Sequence, residues 1–260
     1  MLRASLRMRH TLRILVFFLI ANVGIVNVSF AEQSLYLIGD EDNKPECYID
    51  GDGNVTGSDV EILRELGKRL DLKLEIELAP WIRVLSMVQS GKADGGFPLF
   101  VTSERKEYAL YSKVPIHVSV MTLYAQSNHE FDYNDFSDLY HKKIGINRGY
   151  SISEEFDLAA QAGDIQITEV DSIGQLVKML TGGRIDAIAA TPSSITTYLK
   201  EHGIEISAIG HVRSRAAYLT LSKVAKIKDK DQLLEKINQE LRVMEQEGII
   251  EEITQKYLDY

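Results

Sequence analysis

The spacing of hydrophobic positions changes several times along the chain, and the changes divide it into elements. Val60, Ile62, Leu63, Leu66 and Leu70 recur at helical spacing, which predicts a helix beginning near Ser58. "LKLEIEL" (Leu72 to Leu78) alternates strictly, as a strand with one polar face does. Ser34 to Ile38, "KADGGF", "MTLYAQ" (121–126), "KKIGIN" (142–147) and "AYLTLSK" (217–223) read as further strands. Trp81 to Ser90 is a short helical segment that stops at Gly91. Helix and strand patterns then alternate through Ser153–Ala162, Ile165–Val170, Ser172–Leu180, Ile185–Ala190 and Pro192–His202. The end of the chain is helical from Asp231 through Tyr257, with a break near Gly248. Strands alternating with helices of this length predict an α/β fold with a largely parallel sheet.

An internal echo refines that prediction. "MVQSGKADG" (87–95) and "MLTGGRIDA" (179–187) share a plan, 92 residues apart: helix end, glycine, basic residue, spacer, aspartate, strand. Two such units predict two similar lobes with a cleft between them, where strand ends and helix N-termini converge.

The N-terminal residues belong to a different category. Arg3, Arg7, Arg9 and Arg13 precede a short apolar core, Ile14 to Val28, and "SFA" ends at Ala31. This is the pattern of a secretory signal peptide over 1–31, and Asn22, Gly24 and Asn27 interrupt the run too often for a retained anchor. The exported chain, 32–260, then has 229 residues and a net charge of −13. That acidity argues against nucleic acid or an anionic membrane as a partner. Cys47 is the only cysteine, so no intramolecular disulfide is expected, and a buried apolar role is the simplest one for it.

"YIDGDGNVTGSDVE" (48–61) resembles a calcium loop at first sight. Starting the loop at Asp50 places Val55 where glycine is needed, and starting at Tyr48 removes the first acidic ligand. The alternative uses every residue: Asp50 to Asn54 as a turn, Ser58 as an N-cap, and Glu61 completing a capping box. No histidine pair has metal-ligand spacing among His117, His129, His141, His202 and His211, and there is no G-x-S-x-G nucleophile motif.

In order and spacing, a series of segments resembles the extracellular solute-binding proteins of the amino-acid-binding family, the receptors of ABC uptake systems. The segments are "GNVTGSDVEILRELGKRL", "PWIRVLSMVQSGKADGG", "TSERKEYALYS", "FSDLYHKKIGINRGYS", "LTGGRIDAIAATPSSITTYL" and "INQELRVMEQEGIIEEITQKYL". The resemblance implies the type II periplasmic-binding-protein fold: two lobes, each a mostly parallel sheet flanked by helices, with two crossing strands near Met121 and Ala217 as hinge. Lobe I would comprise 32–120 and the return segment 217–260, and lobe II 121–216. It further implies a periplasmic monomer without cofactor. Such a protein captures an amino acid or related small carboxylate by hinge closure and delivers it to an ABC-type permease.

Site residues follow by the same resemblance. Arg105, in "TSER", takes the place of the arginine that holds the ligand α-carboxylate, with a planar fork suited to it. Gly149, Tyr150 and Ser151 stand at a strand-to-helix turn whose N–H groups would face the cleft, and Arg148 adds charge. Trp81 matches an aromatic wall, and Phe97, Pro98 and Leu99 fall on the segment lining lobe I's half of the cleft.

Two departures bear on the ligand. "FPLF" lacks the hydroxyl groups usual in that segment, and Thr191 stands where the family places the aspartate that neutralises the α-ammonium. Thr191 before Pro192 reads as an N-cap. Glu46 lies close enough in sequence to a first-loop position, Asn43, to supply a displaced acid, though a solvated loop glutamate is the plainer expectation. The readings that compete with uptake are a sensory or orphan binder of the same fold and, third, a dehydratase-like enzyme. A sensory chain usually continues into a membrane span, whereas this sequence stops at Tyr260.

Overall fold

The computed structural model describes residues 34–128 and 131–258. The predicted signal peptide and His129 therefore lie outside the described residues. In chain order the strands are β1 (Ser34–Asp40), β2 (Asp42–Asn43), β3 (Cys47–Ile49), β4 (Val55–Thr56), β5 (Lys73–Ala79), β6 (Gly95–Phe100), β7 (Ala109–Tyr111) and β8 (His117–Ala125). They continue with β9 (Lys143–Asn147), β10 (Gln166–Val170), β11 (Ala187–Ala190) and β12 (Ser207–Ser222). The helices are α1 (Ser58–Leu70), α2 (Trp81–Ser90), α3 (Ser103–Tyr108), α4 (Glu154–Ala162), α5 (Ile173–Thr181), α6 (Pro192–His202), α7 (Lys230–Gln246) and α8 (Ile249–Leu258).

One nine-stranded sheet runs in the order β10-β9-β11-β8-β12-β6-β1-β5, with β7 paired to β12. β5, β1 and β6 are parallel, as are β10, β9 and β11. β8 and β12 join the two parallel sets as an antiparallel pair, running from Ala125 opposite Ser207 to His117 opposite Ala217 with register shifts between Ala208 and Gly210 and between His211 and Arg213. These are the crossing strands of a two-lobe type II fold. Both are longer than their sequence pattern suggests, β8 by four residues and β12 by ten at their N-terminal ends. In "HVSV" and "SAIGHVRSRA" the side chains are too polar or too exposed to carry a periodic signal, and cross-strand bonding holds them instead.

Each lobe has its own cores. Leu35, Leu37, Leu63, Leu66, Ile237 and Leu241 bury together between β1, α1 and α7. On the other side of the hinge Ile144, Ile146, Phe156 and Ala187 form one core, and Leu176, Ile188 and Ile195 form another. The internal echo has a structural counterpart. The Asp94 carboxylate accepts from the Tyr36 amide (2.9 Å) while its own amide donates to the Tyr36 carbonyl. Asp186 makes the same reciprocal pair with Lys143, its carboxylate accepting at 2.7 Å. In both lobes the aspartate fastens the turn after a helix to the neighbouring strand.

The loop at 50–54 is a turn. The Asp50 carboxylate accepts from the amides of Asp52 (3.0 Å) and Asn54 (2.8 Å), and these bonds hold its carboxyl below the ordinary range. The expected capping box is corrected. Gly57, at φ 126°, occupies the N-cap position, and Glu61 pairs with Arg64 (2.6 Å) instead of reaching back. The reason is that the amides of Ser58 and Asp59 already donate to the carbonyls of Pro45 (3.1 Å) and Glu46 (2.9 Å). An added Cβ at Gly57 would stand 2.3 Å from the Glu46 oxygen, so only glycine permits this approach. The contact brings Glu46 beside Asp59.

Candidate ligand-binding site

The C-terminal ends of the parallel strands meet at the junction with β8 and β12, and a cavity lies there between the lobes. From lobe I it is lined by Asp40 at the end of β1, Asn43, Trp81, Pro98, Phe100 and Arg105; from the start of β8 by His117 and Ser119; and from the other lobe by Tyr150, Ser151 and Thr191. Its volume is about 20 Å³, the room one water needs.

Arg105 is held in the first turn of α3, where its amide donates to the Thr102 hydroxyl (3.1 Å) at the N-cap. Its side chain is 4 % exposed and forms no ion pair among the described residues. The guanidinium donates to the carbonyls of Phe100 (3.2 Å) and Gly149 (2.9 Å) and lies over the Trp81 ring (5.3 Å). Burial lowers its proton affinity, as expected for a cation held only by dipoles. Trp81 Nε1 donates to the same Gly149 oxygen (3.2 Å), and its ring meets Tyr150 edge-on at 5.7 Å. Tyr150 in turn donates to Asp40 across the cleft (2.5 Å). Asp40 is 3 % exposed, and desolvation raises its pKa to about 6 despite bonds from Tyr150 and the Asp42 amide.

A second group of acids lies close by. Asp59, fully buried, bonds His117 Nδ1 (2.8 Å), and His117 Nε2 bonds the Ser119 hydroxyl (2.8 Å). Burial pushes the His117 ring toward neutrality, but the Asp59 charge, its hydrogen bond and Glu46 outweigh that, so the ring is more basic than an ordinary histidine. Glu46 accepts from the Ser193 hydroxyl at the start of α6 (3.1 Å), and burial raises its carboxyl above the usual range. It is half-buried at the seam between the lobes, a correction to the expectation of a solvated loop residue.

Six of the residues named from sequence face this cavity: Trp81, Pro98, Arg105, Tyr150, Ser151 and Thr191. Four are placed otherwise. Phe97 and Leu99 are fully buried in lobe I cores, because neighbouring positions of β6 point to opposite sides and only Pro98 and Phe100 turn to the cleft. Arg148 is exposed and paired with Asp171 (2.7 Å) on the outer rim. Gly149 adopts φ 74°, so its amide donates to Glu169 (2.9 Å) and its carbonyl faces Arg105, the reverse of the expected N–H cradle. Thr191 does stand at the N-cap of α6 with Pro192 following, but its hydroxyl bonds Ser194 and caps no amide. Cys47 is buried in the lobe I core.

The sequence reading missed Asp40, Phe100, His117, Ser119 and Arg215. Arg215, from β12, donates to the Ser151 carbonyl (2.7 Å) and the Val101 carbonyl (2.8 Å), tying the hinge strand to both lobes. The family resemblance of "TSER" pointed to Arg105; nothing local marks Asp40 within "GDED" as the buried one.

The match to known proteins is consistent across the chain. The family model described as bacterial extracellular solute-binding proteins, family 3, covers residues 35–260. This chain is a member of that family. It is 24 % identical over 238 residues to the L-cystine-binding protein TcyJ of Escherichia coli, spanning 91 % of this chain and 87 % of that protein. It is 25 % identical over 227 residues to a probable amino-acid ABC transporter-binding protein of Haemophilus influenzae, spanning 86 % and 84 %. Among solved structures, an ancestral arginine-binding protein bound to arginine superposes with a TM-score of 0.74 at 22 % identity, covering 87 % of this chain and 98 % of that one. As in its family, the role of the chain is solute binding.

Proposed function

We propose that this protein captures a free amino acid between lobe I (32–120 with 217–260) and lobe II (121–216) and passes it to an ABC-type permease. The observation that carries the reading is the pairing, in one cavity, of a buried arginine and a buried acid that form no ion pair among the described residues. Arg105 is a bidentate donor for an α-carboxylate, and Asp40 supplies the negative charge for an α-ammonium that Thr191 lacks. Relatives named for cystine and arginine binding support an amino acid as ligand.

The cavity is far smaller than any amino acid, so entry requires the lobes to part about β8 and β12. The inter-lobe bonds Tyr150–Asp40 and Ser193–Glu46 would break on opening and re-form around the ligand. The ligand shifts that equilibrium by its preference for the closed form. We read the protein as a binder and not an enzyme, acting as a periplasmic monomer without cofactor after removal of residues 1–31. The net charge of −13 on residues 32–260 supports the absence of a nucleic-acid partner.

A calorimetric screen of the purified protein against the common amino acids, dicarboxylates and polyamines tests the reading. One amino-acid class should bind, and Arg105→Ala should weaken it at least about a hundredfold by removing a buried charge-assisted pair. Binding confined to solutes without an α-carboxylate would refute it.

A further inference from the structure

The chain of bonds from Asp59 through His117 to Ser119 ends on the ligand cavity, and its polarity follows from elementary chemistry. Asp59 is fully buried at the start of α1, and its Oδ2 has no hydrogen-bond partner. A buried carboxylate this poorly solvated needs a cation beside it, and the partner within reach is His117, bonded to Oδ1 at 2.8 Å. The pairing points to an imidazolium at His117, with a proton on each ring nitrogen. In that state Nδ1–H would donate to Asp59 and Nε2–H to the Ser119 oxygen, each pair of atoms standing 2.8 Å apart. The hydroxyl then has its own proton left to give, and His117 is its one hydrogen-bond partner among the described residues. Ser119 lines the cavity, so that proton is directed there.

The arrangement has the connectivity of a Ser-His-Asp triad but the wrong proton inventory for one. A charged imidazolium has no lone pair to accept the serine proton, so the array is a relay that fixes a donor and not a base that activates a nucleophile. The other groups facing the ring are Glu46 from the β2–β3 loop and, lining the same cavity, Asp40 and Arg105. Resting on the amino-acid reading above, Arg105 and Asp40 are taken up by the α-carboxylate and α-ammonium. The Ser119 donor is then available to the side chain of the ligand.

We propose that Ser119, oriented by His117 and Asp59, is a specificity residue that selects amino acids whose side chain ends in a carbonyl or carboxylate oxygen. An aliphatic side chain would leave the buried hydroxyl unpaired, and a basic one would meet a donor backed by a positive ring.

The test is calorimetry of the purified protein with L-glutamine, L-glutamate, L-norleucine and L-arginine. Glutamine or glutamate should bind at least about tenfold more tightly than norleucine and arginine. Ser119→Ala should erase that margin by weakening glutamine and glutamate and tightening norleucine, and Ser119→Thr, which keeps the hydroxyl, should retain it. Nitrogen-15 spectra of the histidine rings give a readout independent of ligand and of any variant: His117 should carry protons on both nitrogens at neutral pH. Tighter binding of arginine or norleucine, a margin that survives Ser119→Ala, or a bare Nε2 would each overturn the inference. If amino acids bind without such a margin, the specificity role alone falls. If none of the four nor any other amino acid binds, the amino-acid reading falls and takes this inference with it.

Discussion

Asp40→Asn should stabilise the fold at pH 8 and leave it unchanged at pH 3. Asp40 is 3 % exposed, and its pKa rises from 3.8 to about 6 because burial penalises the charged carboxylate more than Tyr150 and the Asp42 amide favour it. A folded-state value above the unfolded one means that the folded chain holds its proton longer. The associated stability is fully present below pH 3.8 and is lost as pH rises through about 6. The lift from 3.8 to about 6 corresponds to about 3 kcal/mol. Asparagine has nearly the same shape, with Oδ1 able to accept from the Asp42 amide and Nδ2 able to donate to the Tyr150 oxygen, and it carries no charge to desolvate. Urea unfolding of both proteins from pH 3 to 8 isolates the effect, because titrating groups that do not interact with Asp40 cancel in the difference. The variant should gain nothing at pH 3 and about 3 kcal/mol at pH 8, with the change centred between 4 and 6. A difference that does not vary with pH, or a wild type that is more stable at pH 8, would refute the reasoning. The same substitution should weaken amino-acid binding, since the charge that destabilises the free protein is the one assigned to the ligand ammonium.

Two further predictions concern the parts of the molecule around the site. Asp94→Ala should cost about 1–2 kcal/mol, and Asp186→Ala less than about 1, although the two carboxylates make the same bond, because Asp94 is half-buried and Asp186 exposed; chemical denaturation reads both. Arg148→Ala should change stability by no more than about 0.5 kcal/mol, because its pair with Asp171 is exposed, and should leave ligand affinity within about threefold; calorimetry and a melting curve check it.

The fold was largely legible because its helices are amphipathic at their own period and its parallel strands, such as Lys143–Asn147 and Ala187–Ala190, are short apolar runs between them. Helix boundaries such as Pro192–His202 and the repeated Gly-basic-x-Asp turn could be read directly. The hinge was legible only in part. Residues 207–216 in β12 take their strand form from pairing with β8, and no local pattern encodes a partner some ninety residues away. The site divides the same way. Arg105 and Trp81 were placed in the site by the family resemblance of the segments that carry them. The Asp59–His117 contact joins residues 58 apart, and the burial of Asp40 exists only once Tyr150 of the other lobe covers it. The capping box failed for a related reason: Ser58 and Glu61 have the right spacing, but backbone carbonyls of the β2–β3 loop had already taken the amides.

A crystal structure of the protein grown with the amino acid that binds most tightly tests the central claim most directly. The account predicts the α-carboxylate on the Arg105 guanidinium in place of the Gly149 carbonyl, with the α-ammonium against Asp40. A ligand bound outside this cavity, or inside it with its carboxylate away from Arg105, would contradict the account.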